Sequence, residues 1–93
     1  PLKYNLSQNY PNPFNPSTKI SFDLIEGGKS TLIVYNLLGK KINTLVNTTL
    51  NSGHHSIDWN GLDYNGQSVA SGVYFYELRS GDFIAKKKML LLR

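Results

Sequence analysis

The chain has 93 residues, of which 40% are hydrophobic and 17% charged, a size and composition typical of one small globular domain and not of a disordered chain. It contains no cysteine, which excludes disulfides, thiolate zinc sites and cysteine nucleophiles. Its net charge is +4, and no hydrophobic run reaches the roughly 18 residues that a membrane-spanning helix needs.

The first patterned stretch, QNYPNPFNPST, holds three of the four prolines: Pro11, Pro13 and Pro16. Such density favours a stiff, extended polyproline II backbone. The P-x-x-P string inside it matches ligands of SH3 and WW domains, but so short a string arises easily by chance. The favoured interpretation is a rigid segment packed on the domain, with Tyr10 and Phe14 inserted as anchors, that separates the domain from what precedes it.

The next part of the chain alternates between apolar and polar residues, which predicts strands. The first covers 19–24 and ends at a turn over 26–28. Residues 30–36 are apolar on both faces, which predicts a central strand covered on both sides. Gly39 interrupts the pattern before a short strand anchored by Ile42, Leu45 and Val46, and residues 47–53 are predicted to be a polar connection.

Further strands follow toward the end of the chain. His55, Ile57 and Trp59 share one face of a strand. Residues 61–72 are predicted to be a loop, because Asn-Gly steps occur at Asn60–Gly61 and Asn65–Gly66. The β-branched and aromatic residues of 73–79 predict another strand. After a turn, residues 84–93 are expected to close the domain.

About seven short strands and no helical periodicity predict an all-β fold, an immunoglobulin-like antiparallel β-sandwich. Its core is predicted from the inward-facing side chains of the strands. These are Phe22, Leu32, Val34, Ile57, Trp59, Tyr74, Tyr76 and Leu78.

Catalysis finds little support in this sequence. Serine, histidine and aspartate all occur, but no nucleophile-elbow motif surrounds a serine, and no glycine-rich phosphate loop is present. His54 and His55 are neighbours in a predicted strand, so they face opposite sides and do not chelate one ion together. We therefore expect no enzyme activity from the domain and no cofactor.

One loop offers oxygen ligands at alternating positions, as calcium loops do. They belong to Asp58, Asn60, Asp63 and Asn65. An EF-hand loop also needs a bidentate glutamate, and none follows before Glu77. Because Asp and Asn are also common turn residues, a plain loop without metal is the favoured interpretation.

The last stretch, KKKMLLLR, has three interpretations. A basic nucleic-acid patch would need aromatic partners, which are absent nearby. A membrane-surface anchor is disfavoured because the stretch is short and has no helical pattern. The remaining interpretation is a final strand, with Met89 and Leu91 on one side and Leu90 and Leu92 on the other.

Four stretches together resemble one family: LSQNYPNPFNPSTKISF, LIVYNLLGKKINTLV, GHHSIDWNGLDYNGQSVASGVYFYELRSGDF and KKKMLLLR. They are similar to the C-terminal sorting domain of the type IX secretion system, which is related to the immunoglobulin-like domain of the flagellar hook-capping protein. The resemblance covers residues 6–93. It implies a seven-stranded sandwich at the C-terminal end of an exported protein of Bacteroidetes-like bacteria.

The resemblance also implies a function without catalysis. The outer-membrane translocon would recognise the domain, a sortase-like peptidase would often remove it, and the covalently fused N-terminal cargo would pass through the periplasm to the cell surface or outside. No nucleic acid and no membrane insertion are expected. The chain would be a single C-terminal sorting domain over 1–93, with a proline-rich leading segment in 1–18, the sandwich in 19–93 and a terminal signal strand in 86–93.

The family motifs fall on three groups of residues in this sequence. They are Pro11, Asn12 and Pro13; Gly72 and Tyr74; and Lys86, Lys87, Lys88, Met89, Leu90, Leu91, Leu92 and Arg93. A terminal strand at a sheet edge would present unpaired backbone groups to a receptor, with lysines steering the encounter and the terminal carboxylate and arginine marking register.

Two other functions stay open. An accessory carbohydrate-binding or spacer module of a secreted glycoside hydrolase would use aromatic side chains on an exposed sheet face. Val73 and Phe75, opposite the predicted core face, and Tyr35 are candidates for that face. The second open function is a structural assembly module, as in the hook-capping relative.

Overall fold

The computed structural model describes residues 3–93, which form two antiparallel sheets. The strands are β1 (Asn5–Leu6), β2 (Thr18–Leu24), β3 (Gly28–Asn36), β4 (Lys41–Leu50), β5 (Gly53–Trp59), β6 (Gly72–Ser80) and β7 (Phe83–Leu91). One sheet has the order β1-β2-β5 and the other the order β4-β3-β6-β7. The predicted all-β sandwich is confirmed. No helix within 3–93 has the length and apolar character to cross a membrane.

The core lies between the inner faces of the two sheets. Every predicted core residue except Ile57 is buried. Ile57 is half-buried at the margin of the core because β5 is an edge strand of its sheet. The core also contains side chains from both ends of the chain, which the prediction did not include: Leu6, Phe14, Met89 and Leu91.

The leading segment is part of the sandwich. Its strand β1 pairs with β2, and Phe14 is only 2% exposed. Tyr10 is 81% exposed, so its predicted insertion is wrong. The backbone also bends at 11–13 and at 15–16 and does not form the extended polyproline II helix expected. Residues 1 and 2 of the segment lie outside the described residues.

Two predictions about β3 and β4 need correction. Residues 47–50 are not a polar connection, because they extend β4 and pair with the first residues of β3. Threonine suits a strand, and an outer strand needs few apolar residues. The outer face of β3 is half-exposed and carries no second layer. That strand is central within its sheet but covered on one side only.

The molecule has two distinct ends, and its longest dimension is 38 Å. At the end that we call proximal, the Tyr4 ring stacks on Phe83 at 4.8 Å, beside the turns at 26–27 and 80–82. At the distal end, the β3–β4 turn lies beside residues 71–74, close to the end of β7. Features at the two ends therefore face opposite directions.

Candidate functional site

The proline-rich segment lies along the outer edge of β7. Phe14 forms a parallel bridge with Leu91. Its N–H donates to the carbonyl of Leu90 at 3.0 Å, and its own carbonyl accepts from the N–H of Leu92 at 3.0 Å. The proline-rich segment and the last strand, separated by most of the sequence, therefore meet at one sheet edge.

Two side chains of the same segment extend this contact. The Oδ1 of Asn12 accepts a hydrogen bond from the N–H of Leu90 at 3.0 Å. The Nε2 of Gln8 donates to the carbonyl of Lys88 at 2.7 Å. Backbone groups of an edge strand that would face solvent or a partner chain are thus occupied at Lys88, Leu90 and Leu92.

Phe14 anchors the segment in a row of aromatic rings. Its ring centroid lies 5.8 Å from that of Trp59, which lies 5.5 Å from Tyr74 in an edge-on arrangement. The indole N–H of Trp59 donates to the carbonyl of Leu62, and the hydroxyl of Tyr74 donates to the carbonyl of Ala70. The rings connect the proline-rich segment to Tyr74, and these two hydrogen bonds fix the loop that precedes β6.

A buried polar cluster holds the start of the segment. Asn9 is 2% exposed, and its Nδ2 donates to the Oγ1 of Thr18 at 2.9 Å. Its backbone N–H donates to the hydroxyl oxygen of Tyr76 at 2.8 Å, and that hydroxyl donates to the carbonyl of Ser7 at 2.7 Å. Burial raises the pKa of Tyr76 to about 12, and the hydrogen bond from Asn9 opposes the shift.

Gly72 begins β6 opposite Leu91 of β7. Its φ is +154°, a backbone conformation that residues other than glycine rarely adopt. The next motif residue, Tyr74, is 7% exposed and pairs with Met89. The glycine-x-tyrosine motif is therefore a backbone and packing feature that supports the last strand.

The structure divides the predicted C-terminal signal, residues 86–93, by side-chain direction. Met89 and Leu91 are buried in the core, Leu90 and Lys87 are half-buried, and Lys86 and Lys88 are exposed. The Nζ of Lys86 lies 5.3 Å from the centroid of the Phe75 ring. The ion pairs found within 3–93 use none of these three lysines.

Arg93 fastens the end of β7 to the loop before β6. Its Nε donates to the carbonyl of Val69 at 2.7 Å, and its Nη2 donates to that of Gly61 at 2.9 Å. Its backbone N–H donates to the Oγ of Ser71. A Cβ on Gly61, whose φ is +73°, would lie 2.8 Å from Nη2. The guanidinium is thus held by the domain itself.

The four candidate calcium ligands do not converge. Asp58 forms an ion pair with Lys19 at 3.1 Å. The Oδ1 of Asp63 accepts the N–H groups of Asn65 and Gln67, which shapes the loop. The side chains of Asn60 and Asn65 are exposed. Within 3–93, no group of three His, Cys, Asp or Glu side chains is arranged to hold a metal ion.

Sequence reasoning did not identify Gln8, Asn9 and Thr18 as contributors to this site. The repeat of asparagines near the prolines was a signal, but it did not tell which amide is buried. Asn9 is buried and Asn15 is exposed, whereas the side chain of Asn12 accepts a hydrogen bond from the edge of β7. Only the tertiary fold distinguishes these three roles.

Comparison with known proteins identifies the family and shows related folds. The family model for the secretion system C-terminal sorting domain matches residues 8–92. A search of curated proteins found no match.

Solved structures share the fold. Dimeric latent PorU from Porphyromonas gingivalis aligns with a TM-score of 0.73 at 17% identity, over 99% of this chain and 9% of that chain. PorZ, a surface component of the type IX secretion system of the same organism, aligns with a TM-score of 0.63 at 18% identity, over 97% and 11%.

FlgD from P. aeruginosa aligns with a TM-score of 0.64 at 21% identity, over 80% of this chain and 58% of that one. The chain therefore spans less than two thirds of each of these three proteins. At these identities the likeness shows a common fold. Because the family model covers nearly the whole chain, the chain belongs to the secretion system C-terminal sorting domain family, the sorting domain of type IX secretion.

Proposed function

We propose that this chain is a non-catalytic sorting signal that directs a fused N-terminal cargo across the outer membrane to the cell surface or outside. Its partners are the type IX translocon and a sortase-like peptidase. The proposal rests on the family match over residues 8–92, and the meeting of the proline and C-terminal motifs at the β7 edge supports it. In this proposal residues 1–18 lead from the cargo into the sandwich, and 86–93 form the signal strand.

The recognised surface is the part of β7 that the proline segment leaves uncovered. Hydrogen bonding alternates along an antiparallel edge strand, so the backbone groups of Ile84 and Lys86 face outward like those of Leu90. Within 3–93 no hydrogen bond covers that side of Ile84 or Lys86. A receptor strand can pair there, with the exposed lysines Lys86 and Lys88 attracting acidic groups.

The sorting test compares surface changes that leave the core intact. A reporter fused to the chain is expressed in a bacterium with type IX secretion, and its surface and periplasmic fractions are measured. Lys86→Gln with Lys88→Gln should retain reporter in the periplasm. Lys3→Gln with Lys29→Gln removes the same charge from other exposed positions and should sort normally.

Truncation of Met89–Arg93 should also retain the reporter in the periplasm, but it removes two core side chains and so cannot separate recognition from unfolding. Normal export of the truncated fusion would refute the sorting function. If the double lysine variant is exported normally while the truncated fusion stays in the periplasm, only the role of the lysines would be refuted.

A carbohydrate-binding module is the second candidate, because the aromatic residues Tyr35 and Phe75 are paired on the outer face of the four-stranded sheet. The Lys86 ammonium over the Phe75 ring occupies a position that a sugar would need. Retention of the chain on a polysaccharide, lost in Phe75→Ala, would favour this candidate. Absence of retention would exclude it for the polysaccharides used.

A further inference from the structure

The turn between β3 and β4 exposes two adjacent leucines at the distal end. Leu37 is 68% exposed and Leu38 is 93% exposed. Single exposed leucines are ordinary on protein surfaces. Two in one tight turn form an exposed apolar patch, which we call the leucine tip and which neither sheet packing nor the β7 edge explains.

The backbone of the leucine tip is largely satisfied within the turn. The Oδ1 of Asn36 accepts the N–H groups of Leu38 at 3.0 Å and Lys40 at 2.9 Å. The N–H of Asn36 donates to the carbonyl of Lys40, and that of Gly39 donates to the carbonyl of Asn36. Few N–H donors would lose a partner if this apex left water, which lowers the cost of placing it in an apolar medium.

Charge favours an anionic surface at the same end. Lys40 and Lys41 are exposed and follow the leucines after Gly39. Asp63 lines the same depression as these lysines, so its carboxylate offsets one of the two positive charges and leaves a net positive charge there. The turns of the proximal end carry carboxylates instead, at Glu26 and Asp82. The leucine tip therefore combines apolar side chains with positive charge.

We propose that the leucine tip docks on an anionic phospholipid surface, with Leu37 and Leu38 at the boundary between headgroups and acyl chains and Lys40 and Lys41 at the phosphates. Such contact is peripheral and does not span the bilayer. Leu37 and Leu38 border a depression beside residues 71–74, but most of each side chain is exposed to solvent, which suits a deformable surface better than a small ligand. Since residue 4 lies at the proximal end, a chain attached before it would point away from the lipid. The proposal does not depend on the sorting function.

Sedimentation with vesicles tests the proposal in the 93-residue chain. Phosphatidylcholine vesicles are compared with vesicles of phosphatidylcholine and phosphatidylglycerol in a 3:1 ratio. We expect binding to the anionic vesicles only. Lys40→Gln with Lys41→Gln should weaken binding roughly 10- to 30-fold, because each basic residue near such a surface contributes about fivefold. Leu37→Ser with Leu38→Ser should weaken it roughly tenfold.

Matched variants control for position. Ile25→Ser changes an exposed apolar residue near the proximal end, and Lys3→Gln with Lys29→Gln removes two exposed charges from that same end. Both should bind almost as the unchanged chain does. If the Lys3 and Lys29 pair has the same effect as the tip lysines, or if the leucine variant binds normally, the proposal is wrong.

A partner protein is the competing explanation for the leucine tip. Absence of binding to either vesicle would overturn the lipid proposal, and reduced sorting of the leucine variant would then indicate a protein groove. Near-UV circular dichroism checks that the double variant is folded. Should it unfold, Leu38→Ser alone, at the more exposed position, gives the same test.

Discussion

The backbone N–H of Phe14 donates a hydrogen bond of 3.0 Å to the carbonyl of Leu90, so a residue of the proline-rich segment is the outer neighbour of the last strand. The ring of Phe14 is buried against Trp59, which holds that backbone in place. This pairing covers the apolar part of β7 and leaves the part with Lys86 open. It makes specific predictions about stability and amide exchange.

Replacement of Phe14 by alanine should lower the free energy of unfolding by roughly 3–5 kcal/mol, because it leaves a cavity beside Trp59. Urea unfolding followed by circular dichroism measures the loss. Tyr10→Ala is the matched control at an exposed aromatic, and its effect should stay within about 0.5 kcal/mol. Equal effects of the two substitutions would contradict the anchor role of Phe14.

Asn12→Ala should uncover the N–H of Leu90 without unfolding the domain. The side-chain oxygen of Asn12 accepts that N–H, and one such bond contributes about 1 kcal/mol, so exchange of the Leu90 amide should accelerate roughly fivefold. Hydrogen exchange followed by NMR measures the rate. Asn15→Ala, at an exposed position in the same segment, should leave it unchanged.

Tyr76→Phe should lower the free energy of unfolding by roughly 1–3 kcal/mol at neutral pH, because the N–H of Asn9 loses its buried partner. Urea unfolding gives this value. Tyr64→Phe, at a 55% exposed position, is the matched control.

The same hydroxyl makes stability depend on alkaline pH. Because burial raises the Tyr76 pKa from 10.0 to about 12, the folded state keeps its proton where the unfolded state has lost it. This contribution is complete below pH 10 and is lost as the pH rises through 12. Tyr76→Phe should therefore reduce the decline in stability over that interval. An unchanged decline would count against the shifted pKa.

Arg93→Lys should loosen the loop between Gly61 and Ser71 although it keeps the charge. The planar guanidinium reaches two carbonyls at once, which a lysine ammonium does not reproduce. Amide exchange in residues 61–71 should accelerate roughly tenfold. Lys88→Arg, a change between the same two residue types at an exposed position in β7, is the control. Unchanged exchange in Arg93→Lys would show that the loop is held by other contacts.

The sequence predicted those parts of the fold that depend on local pattern. Alternation identified the inward residues of β6, since a strand with one buried face has a period of two. It missed β1, because two residues are too few to show a period. It also could not tell that Phe14 is buried and Tyr10 exposed, since which aromatic faces the core depends on the bends between the prolines.

The candidate site was predictable as a set of motifs but not as an arrangement. The family resemblance places Arg93 in the recognition signal, and only the structure shows that its guanidinium contacts carbonyls in a distant loop. Met89 and Leu91 were correctly placed on one side of a strand, yet only the register with β6 shows that this side is the core. Contacts between distant parts of the sequence decide these roles.

The parallel bridge between Phe14 and Leu91 also affects when the domain can be complete. A chain is synthesised from its N-terminus, so Phe14 emerges long before the strand that covers it. A product that stops before Leu91 would leave both the aromatic anchor and the edge of β6 without their partners. A receptor that recognises the finished edge would thereby distinguish intact chains from prematurely ended ones.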